Sequence, residues 1–219
     1  MGASWRSSPD NRRRVWFHVH TSLTHGRSTP REYLELAGPL GVDQVVFLEH
    51  VRRVPTYDTD AFRREVERAA ALTAVDARVG FEAKILQGGA LDIPEALLAS
   101  ADVVGIAEHS WSGDSLSLAE DFTRLVATLT ETHPQQTFVW VHPGSWLRRS
   151  GEPVAGEAVN AMLRAALAAG VFVERNLKYD LLPAATAARL SPATVIYGLD
   201  AHSTDEALER WGSLAGRDG

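Results

Sequence analysis

Short apolar runs alternate with amphipathic segments along most of the chain. The apolar runs start near residues 14, 44, 78, 102, 137, 171 and 194, are rich in β-branched and aromatic residues, and have the length of buried strands. In the segments between them apolar residues recur at helical spacing, as with Phe62, Val66 and Ala69. Strict alternation of this kind predicts an α/β protein in which parallel strands are joined by right-handed helical crossovers.

Capping residues, prolines and glycines give approximate bounds for the helices. We expect helices over residues 30–37, 58–75, 93–98, 117–129, 154–169, 183–190 and 204–211. Ser28 or Thr29 would cap the first of these helices, and Ser115 or Ser117 the fourth.

The residues expected to face inward predict that the sheet closes on itself. Counting back by twos from polar residues at strand ends places Gly80 behind Glu82 and Gly198 behind Asp200. Small side chains at these positions suit the narrow interior of a barrel. We expect a single domain over residues 14–212, preceded by a flexible basic N-terminal tail at 1–13 and followed by a C-terminal tail at 213–219.

Composition narrows the class of protein. The 219 residues include 22 basic and 28 acidic side chains, a formal charge of −6, which argues against a protein that coats nucleic acid or an anionic membrane. The basic N-terminal segment is followed by no long apolar stretch, so we expect neither a secretory signal nor a membrane anchor, and a cytoplasmic location. There is no cysteine, so any metal must be held by imidazole and carboxylate groups, a ligand set that suits Zn, Mn or Fe.

Most of the eight histidines end or follow an apolar run, where functional residues of α/β barrels collect. His18 and His20 are two apart on the first predicted strand and would therefore project from the same face. His25 and His133 are the exceptions, and we expect His133 on a solvated loop at the far end of the barrel. The candidate metal ligands are His18, His20, His25, His50, Glu82, His109, His142, Asp200 and His202. Nine ligands exceed the needs of one zinc ion, so a cluster of two or three ions is the simpler interpretation.

The same residues resemble the PHP family, the polymerase and histidinol phosphatase domains, over about residues 14–210. The matching elements are the H-x-H opening with the following His20-Thr21-Ser22-Leu23-Thr24-His25-Gly26, and then Glu49-His50, Phe81-Glu82-Ala83-Lys84, Glu108-His109-Ser110, Val141-His142-Pro143 and Leu199-Asp200-Ala201-His202. All nine ligand positions of the family are filled in order. One difference is His25, where many relatives carry an aspartate.

The resemblance implies a distorted (β/α)7 TIM-like barrel with a trinuclear metal site. By analogy, one ion would be held by His18, His20, Glu82 and Asp200, a second by Glu82 as a bridge with His109 and His142, and the third by His25, His50 and His202.

The chemistry that the resemblance implies is the hydrolysis of a small phosphorylated molecule. Two or three cations can bind phosphoryl oxygens, lower the pKa of a bridging water towards ~7 and stabilise the leaving oxygen, so no protein nucleophile is needed. Glu82, Asp200 and His202 are the residues that we expect to take part in catalysis, with Asp200 orienting the water or moving its proton. A histidinol-phosphate-phosphatase-like enzyme is one member of this class.

Substrate recognition is expected from loops on the same face. The glycine-flanked segment 143–151 could cover a substrate and offer Arg148 and Arg149 to an anion, and Arg175 follows the sixth strand. Trp111 and Trp146 could stack on a substrate ring or pack the rim. Two alternatives remain open: a nuclease or nucleotide phosphodiesterase, with long nucleic acid disfavoured by the acidic balance, and a non-catalytic metal-binding module. A metal cluster could also hydrolyse an amide or another ester.

Overall fold

The computed structural model describes residues 14–154 and 156–215. The strands are β1 (Val15–Val19), β2 (Gln44–His50), β3 (Asp76–Leu86), β4 (Ala90–Leu91), β5 (Val103–Ala107), β6 (Phe138–Trp140), β7 (Phe172–Asn176) and β8 (Val195–Ala201). Seven of them are parallel and form a closed ring in the order β1-β2-β3-β5-β6-β7-β8, with β8 pairing back to β1. The short strand β4 pairs antiparallel with the end of β3 outside the ring. The predicted single-domain α/β barrel with seven parallel strands is confirmed.

Helices surround the ring and connect its strands. They are α1 (Pro30–Ala37), α2 (Thr59–Ala70), α3 (Glu95–Ser100), α4 (Ser115–Thr132), α5 (Ser145–Ser150), α6 (Glu157–Ala168), α7 (Ala184–Ala187) and α8 (Thr204–Ala215). Two short 3₁₀ turns lie at Gly38–Leu40 and Pro192–Thr194. Across the described ranges, none of these helices combines the length and the apolar character needed to cross a membrane.

Several helix ends differ from the prediction. Thr29 caps α1 in a capping box with Glu32, one of the two expected alternatives. The cap of α4 is Asp114, not Ser115 or Ser117, because its carboxylate accepts a hydrogen bond from Ser117 N at 2.7 Å. Segment 143–151, expected as an open loop, contains α5, which glycines with positive φ flank on both sides.

The last helix continues past its expected end. Residues 213–215, predicted to begin the C-terminal tail, belong to α8, because Leu214 continues the apolar spacing of Ala207 and Trp211 and is itself buried. The rest of that predicted tail, 216–219, and the predicted N-terminal tail, 1–13, lie outside the described residues.

The barrel has a small inner core and a larger outer core. The inner core is formed by Phe17, Val46, Leu48, Val103, Ala107, Val139, Val141 and Ile196. The outer core packs alternate strand residues, such as Trp16 and Trp140, against the helices. A Cβ at Gly80 or Gly105 would lie within 3 Å of Leu48 side-chain atoms, so the inward-facing small residues make room for larger neighbours, as predicted.

Three irregularities at strand ends turn candidate ligands into the barrel. His18, His142 and Asp200 all have positive φ, at 67°, 31° and 47°, in a region that non-glycine residues seldom adopt. At His18 the register of β1 against β2 shifts, so that Phe17 and Val19 pair with consecutive residues of β2. His18 and His20 are thus brought together by a β-bulge, not by the simple alternation that the sequence suggested.

Candidate metal centre

Glu82 lies at the centre of the candidate site, at the carboxyl end of β3. Its carboxylate is 1% exposed, and its register partner on β2 is His50. Imidazole nitrogens surround its oxygens: His142 Nε2 at 2.8 Å, His50 Nδ1 at 3.1 Å, His18 Nε2 at 3.3 Å, His109 Nδ1 at 3.4 Å and His20 Nε2 at 3.7 Å. A buried carboxylate needs compensating charge or hydrogen bonds, and here five imidazoles supply the surroundings.

The remaining candidate ligands adjoin this centre around Asp200 and His20. Asp200 Oδ1 lies 3.7 Å from His20 Nε2 and 3.7 Å from His202 Nδ1. His202 Nε2 is hydrogen-bonded to His25 Nε2 at 2.8 Å, and the His25 ring stacks on that of His50 with centroids 4.5 Å apart. All nine residues singled out from the sequence therefore meet at one end of the barrel.

Donor atoms of eight of the nine residues fall into four groups of three, each compact enough to hold an ion. His109 belongs to none of these groups, although its Nδ1 lies 3.4 Å from Glu82 Oε1. The groups are His18-Glu82-His142, His18-His20-Asp200, His20-His50-Glu82 and His20-His25-His202, with donor atoms within 4.8 Å of one another. The analogy had placed His25, His50 and His202 around one ion. In the structure His25 and His202 group with His20, whereas His50 groups with His20 and Glu82.

These residues fit divalent metal ions. The donor set is entirely imidazole and carboxylate, the ligands that Zn, Mn and Fe accept. His20 belongs to three of the four groups, is 1% exposed, and its Nδ1 has no hydrogen-bond partner among the described residues. A buried polar atom without a partner is costly in a fold that serves only packing, whereas it is expected where a metal is bound.

Three of the histidines, His109, His25 and His20, have lowered pKa values and are therefore neutral at pH 7, as metal ligation requires. Burial lowers the pKa of His109 to about 3 against the attraction of Glu82. Burial, with help from His50 and His202, lowers the pKa of His25 to about 4. Burial and the charge of His18 hold the pKa of His20 well below its ordinary value.

The imidazoles of His18 and His142 instead have raised pKa values, because they lie against carboxylates, and the carboxyl groups of Glu82 and Asp200 in turn have lowered pKa values. Burial opposes protonation of His18, but Glu174 outweighs it and raises the pKa of His18 well above its ordinary value. Glu82 likewise raises the pKa of His142 against the effect of burial. Burial would raise the pKa of Asp200, but His18 and His142 overcome it and lower that pKa to about 2. His50 and His142 similarly hold the pKa of Glu82 well below its usual range, against burial.

Glu174 on β7 is a functional residue that the sequence reasoning missed. Its carboxylate is completely buried, accepts a hydrogen bond from His18 Nδ1 at 2.7 Å and another from the backbone N–H of His142. A carboxylate behind a metal-binding histidine fixes the ring orientation and raises its basicity. Two signals could have found it: a charged residue that continues the apolar run Val171-Phe172-Val173, and Gly198 on the neighbouring strand, which makes room for it.

Two further buried glutamates support loops that carry ligands. Glu49 accepts hydrogen bonds from Thr21 N and Thr21 Oγ1, both at 2.6 Å, and from Thr24 Oγ1, which fixes the loop that carries His25. Glu108 accepts hydrogen bonds from Trp140 Nε1 at 3.0 Å and from the backbone N–H of Gly144 at 2.5 Å, two residues after His142 in the chain. Both stand one residue before a candidate ligand.

The three arginines expected to bind substrate have different surroundings. Arg148 and Arg149 are exposed on α5. Arg148 donates a hydrogen bond to the backbone oxygen of Tyr179, and the positive charge of Arg149 contributes to the lowered pKa of His109. Arg175 is 3% exposed, and its guanidinium contacts two backbone oxygens and Asp180 within its own loop. Its side chain is therefore occupied within the protein.

Other residues singled out from the sequence lie at the rim or far from the site. Trp111 is buried, and its backbone oxygen accepts a hydrogen bond from Trp146 Nε1 at 2.8 Å. Both side chains pack against the outer core at the rim. His133 follows α4 at the opposite end of the barrel, as predicted. It is less solvated than expected, because its side chain is 19% exposed and pairs with Glu95 at 3.3 Å.

No protein-family model matches the chain, and no curated protein sequence matches it. Among solved structures, one similar chain is a protein from Bifidobacterium adolescentis described as a metal-dependent phosphoesterase, with 16% identity, a TM-score of 0.50, and coverage of 93% of this chain and 98% of that one. A two-domain protein from Bacteroides vulgatus with a predicted PHP-like phosphoesterase gives 13% identity, a TM-score of 0.45, and coverage of 86% and 51%. A D-hydantoinase from Bacillus sp. AR9 gives 12%, 0.46, and coverage of 84% and 46%. At 16% identity, the likeness to the Bifidobacterium adolescentis protein shows a shared fold.

Proposed function

We propose that this chain is a metal-dependent phosphoesterase of the PHP type that binds two or three divalent ions and hydrolyses a small phosphorylated molecule. The observation that carries the proposal is the convergence of all nine candidate ligands, seven histidines with Glu82 and Asp200, at the carboxyl end of one closed barrel. In α/β barrels this end is where catalytic residues lie.

The proposed ligands are His18, His20, His25, His50, Glu82, His109, His142, Asp200 and His202. When bound, divalent ions would neutralise charge on the phosphoryl oxygens and activate a water for attack. Zn, Mn and Fe are the ions that suit this ligand set.

Within this site we assign separate roles to Glu82, Asp200 and His202. Glu82 faces imidazoles on several sides, which suits a carboxylate shared between ions. Asp200, with a pKa of about 2, stays ionised at neutral pH, so it is suited to orienting the attacking water and holds a proton poorly. His202, whose pKa is lowered by burial and by Lys178, is neutral at that pH, as a metal-ligating imidazole must be.

Recognition of an anionic substrate is supported by basic residues at the rim. Arg149 lies near enough to His109 to lower its pKa, and Arg148 is held beside the segment after β7 by its hydrogen bond to Tyr179. We propose that these two arginines meet the outer part of the substrate. Arg175, in contrast, would act through the loop that it holds.

The test is product release from a panel of phosphomonoesters, phosphodiesters and amides by the protein loaded with Mn²⁺ or Zn²⁺. The negative control is His142→Ala, and the matched control is His133→Ala, which removes a histidine outside the site. We expect monoester hydrolysis by wild type and His133→Ala, and none by His142→Ala. Diester-only turnover would favour a nucleotide phosphodiesterase, and turnover of amides alone would overturn the phosphoesterase proposal.

A further inference from the structure

One lysine reaches directly into the ligand cluster. Lys178 Nζ lies 3.0 Å from Asp200 Oδ1 and 3.4 Å from His202 Nδ1, and its side chain is 23% exposed. The sequence contains only one other lysine, Lys84, which pairs with Asp92 at 3.6 Å. An ammonium group has three donor hydrogens, so Lys178 can hold Asp200 and still offer a donor towards solvent.

The loop that presents Lys178 is fixed by hydrogen bonds on its inner side. Arg175 Nη1 donates to Leu181 O at 3.0 Å and to Asn176 O at 3.3 Å, and its other terminal nitrogen contacts Asp180. Asn176 and Leu181 also exchange two backbone hydrogen bonds, at 3.0 and 3.1 Å. The buried arginine therefore closes the loop at its base.

The backbone of this loop is unusual in a way that points to function. Asp180 and Leu182 have positive φ, at 53° and 51°, although neither is glycine. Such conformations are unfavourable for residues other than glycine and persist where the surrounding structure imposes them, commonly at ligand-binding sites. The loop thus holds Lys178 against the site at some conformational cost.

The charge balance indicates what Lys178 binds. A site that collects two or three divalent cations becomes strongly positive, and a lysine in contact with two of its ligands adds to the repulsion. An anion shared by the lysine and the site relieves that repulsion, whereas a neutral amide or ester does not. An ammonium group is also a good partner for a phosphoryl oxygen.

We propose that Lys178, presented by the loop whose base Arg175 closes, binds the phosphoryl group of the substrate. This inference rests on the proposed function and deepens it, because it names the residue that makes the site selective for an anionic group.

The kinetic test compares Lys178→Met, Lys178→Arg and, as a matched control, Lys84→Met, each loaded with metal. We expect Lys178→Met to lose about 10- to 100-fold in kcat/KM and to bind inorganic phosphate more weakly as an inhibitor, with its metal content unchanged. Lys178→Arg should recover part of the loss, and Lys84→Met should match wild type. Unchanged kinetics in Lys178→Met would overturn the inference, and loss of metal in that variant would overturn it in favour of a role in holding Asp200.

A second measurement needs no turnover. The two lysines are acetylated in the metal-loaded protein with and without inorganic phosphate, and the extent at each is read by mass spectrometry. We expect phosphate to protect Lys178 and not Lys84, and equal labelling of Lys178 in both conditions would contradict the proposal. Hydrolysis of phosphate esters without protection of Lys178 would overturn the inference and leave the proposed function standing, whereas a metal-loaded protein that hydrolyses no phosphate ester would refute the proposed function itself, so the two failures are distinguishable.

Discussion

Adding a single methyl group at Gly198 should disable the site from the inside of the barrel. A Cβ at this position of β8 would lie 1.6 Å from Glu174 Oε1, 2.3 Å from its Cδ and 2.6 Å from its Cγ. Real Cβ atoms essentially never come within 3.0 Å of nonbonded heavy atoms of other residues, so in Gly198→Ala the carboxylate must move by more than an ångström. That movement breaks its 2.7 Å hydrogen bond with His18 and its contact with His142 N.

The expected magnitude has two parts. Losing the carboxylate behind a metal-binding histidine typically weakens metal affinity about 10- to 100-fold, which corresponds to roughly 1.4–2.7 kcal/mol. Overpacking the interior costs about 1–3 kcal/mol in the free energy of unfolding of the metal-free protein.

Two measurements separate these effects. Urea unfolding of the metal-free protein reports the packing cost, and competition with a chromogenic chelator reports the metal affinity. Gly212→Ala is the matched control, because in the described part of the chain no atom outside its own helix backbone and chain neighbours lies within 4 Å of the added Cβ. In α8 this substitution should stabilise the protein by about 0.5–1 kcal/mol. The double variant Gly198→Ala/Glu174→Ala removes the clash and should keep the weak metal affinity. Wild-type affinity in Gly198→Ala would refute the role given to Glu174.

Two further predictions follow from the charges and caps of the structure. Because the pKa values of His18 and His142 are raised, the metal-free protein holds protons there that must leave when a metal binds, and the number released should fall as the pH rises through those raised pKa values. Calorimetry of Zn²⁺ binding in buffers of different ionisation enthalpy measures this number, and a release that is absent, or larger at higher pH, would contradict the assignment. Asp114→Ala should lower the free energy of unfolding by about 1 kcal/mol through loss of the α4 cap. Its metal affinity should equal that of wild type, and a loss there would show that the cap also supports the site.

Much of the fold could be predicted because the pattern of apolar residues is strong. All seven strands of the ring begin within two residues of the predicted starts. The candidate ligands could be found as a set because histidines are rare enough that their recurrence at strand ends is informative. Parallel strands then bring those ends together, although the ligands are far apart in the chain.

What sequence reasoning missed depends on tertiary structure. The positive φ of His18 and the register shift beside it have no local signal in the Trp16-Phe17-His18 run. The burial of Arg175 also has no local signal, because it depends on the loop that folds back from Leu181. Glu174 has a weak local signal as a charge that continues an apolar run, and its role becomes clear only with the space that Gly198 leaves on another strand.

The central claim is that the cluster around Glu82 binds divalent metal ions. Its most direct test is the metal content per chain, by mass spectrometry after loading and exhaustive dialysis, in wild type, Glu82→Gln and His133→Ala. We predict two or three ions in wild type and in His133→Ala, and fewer in Glu82→Gln, which loses the charge at the centre of the imidazoles. A wild-type protein that retains no ion, or a Glu82→Gln variant that retains as many as wild type, would contradict the account.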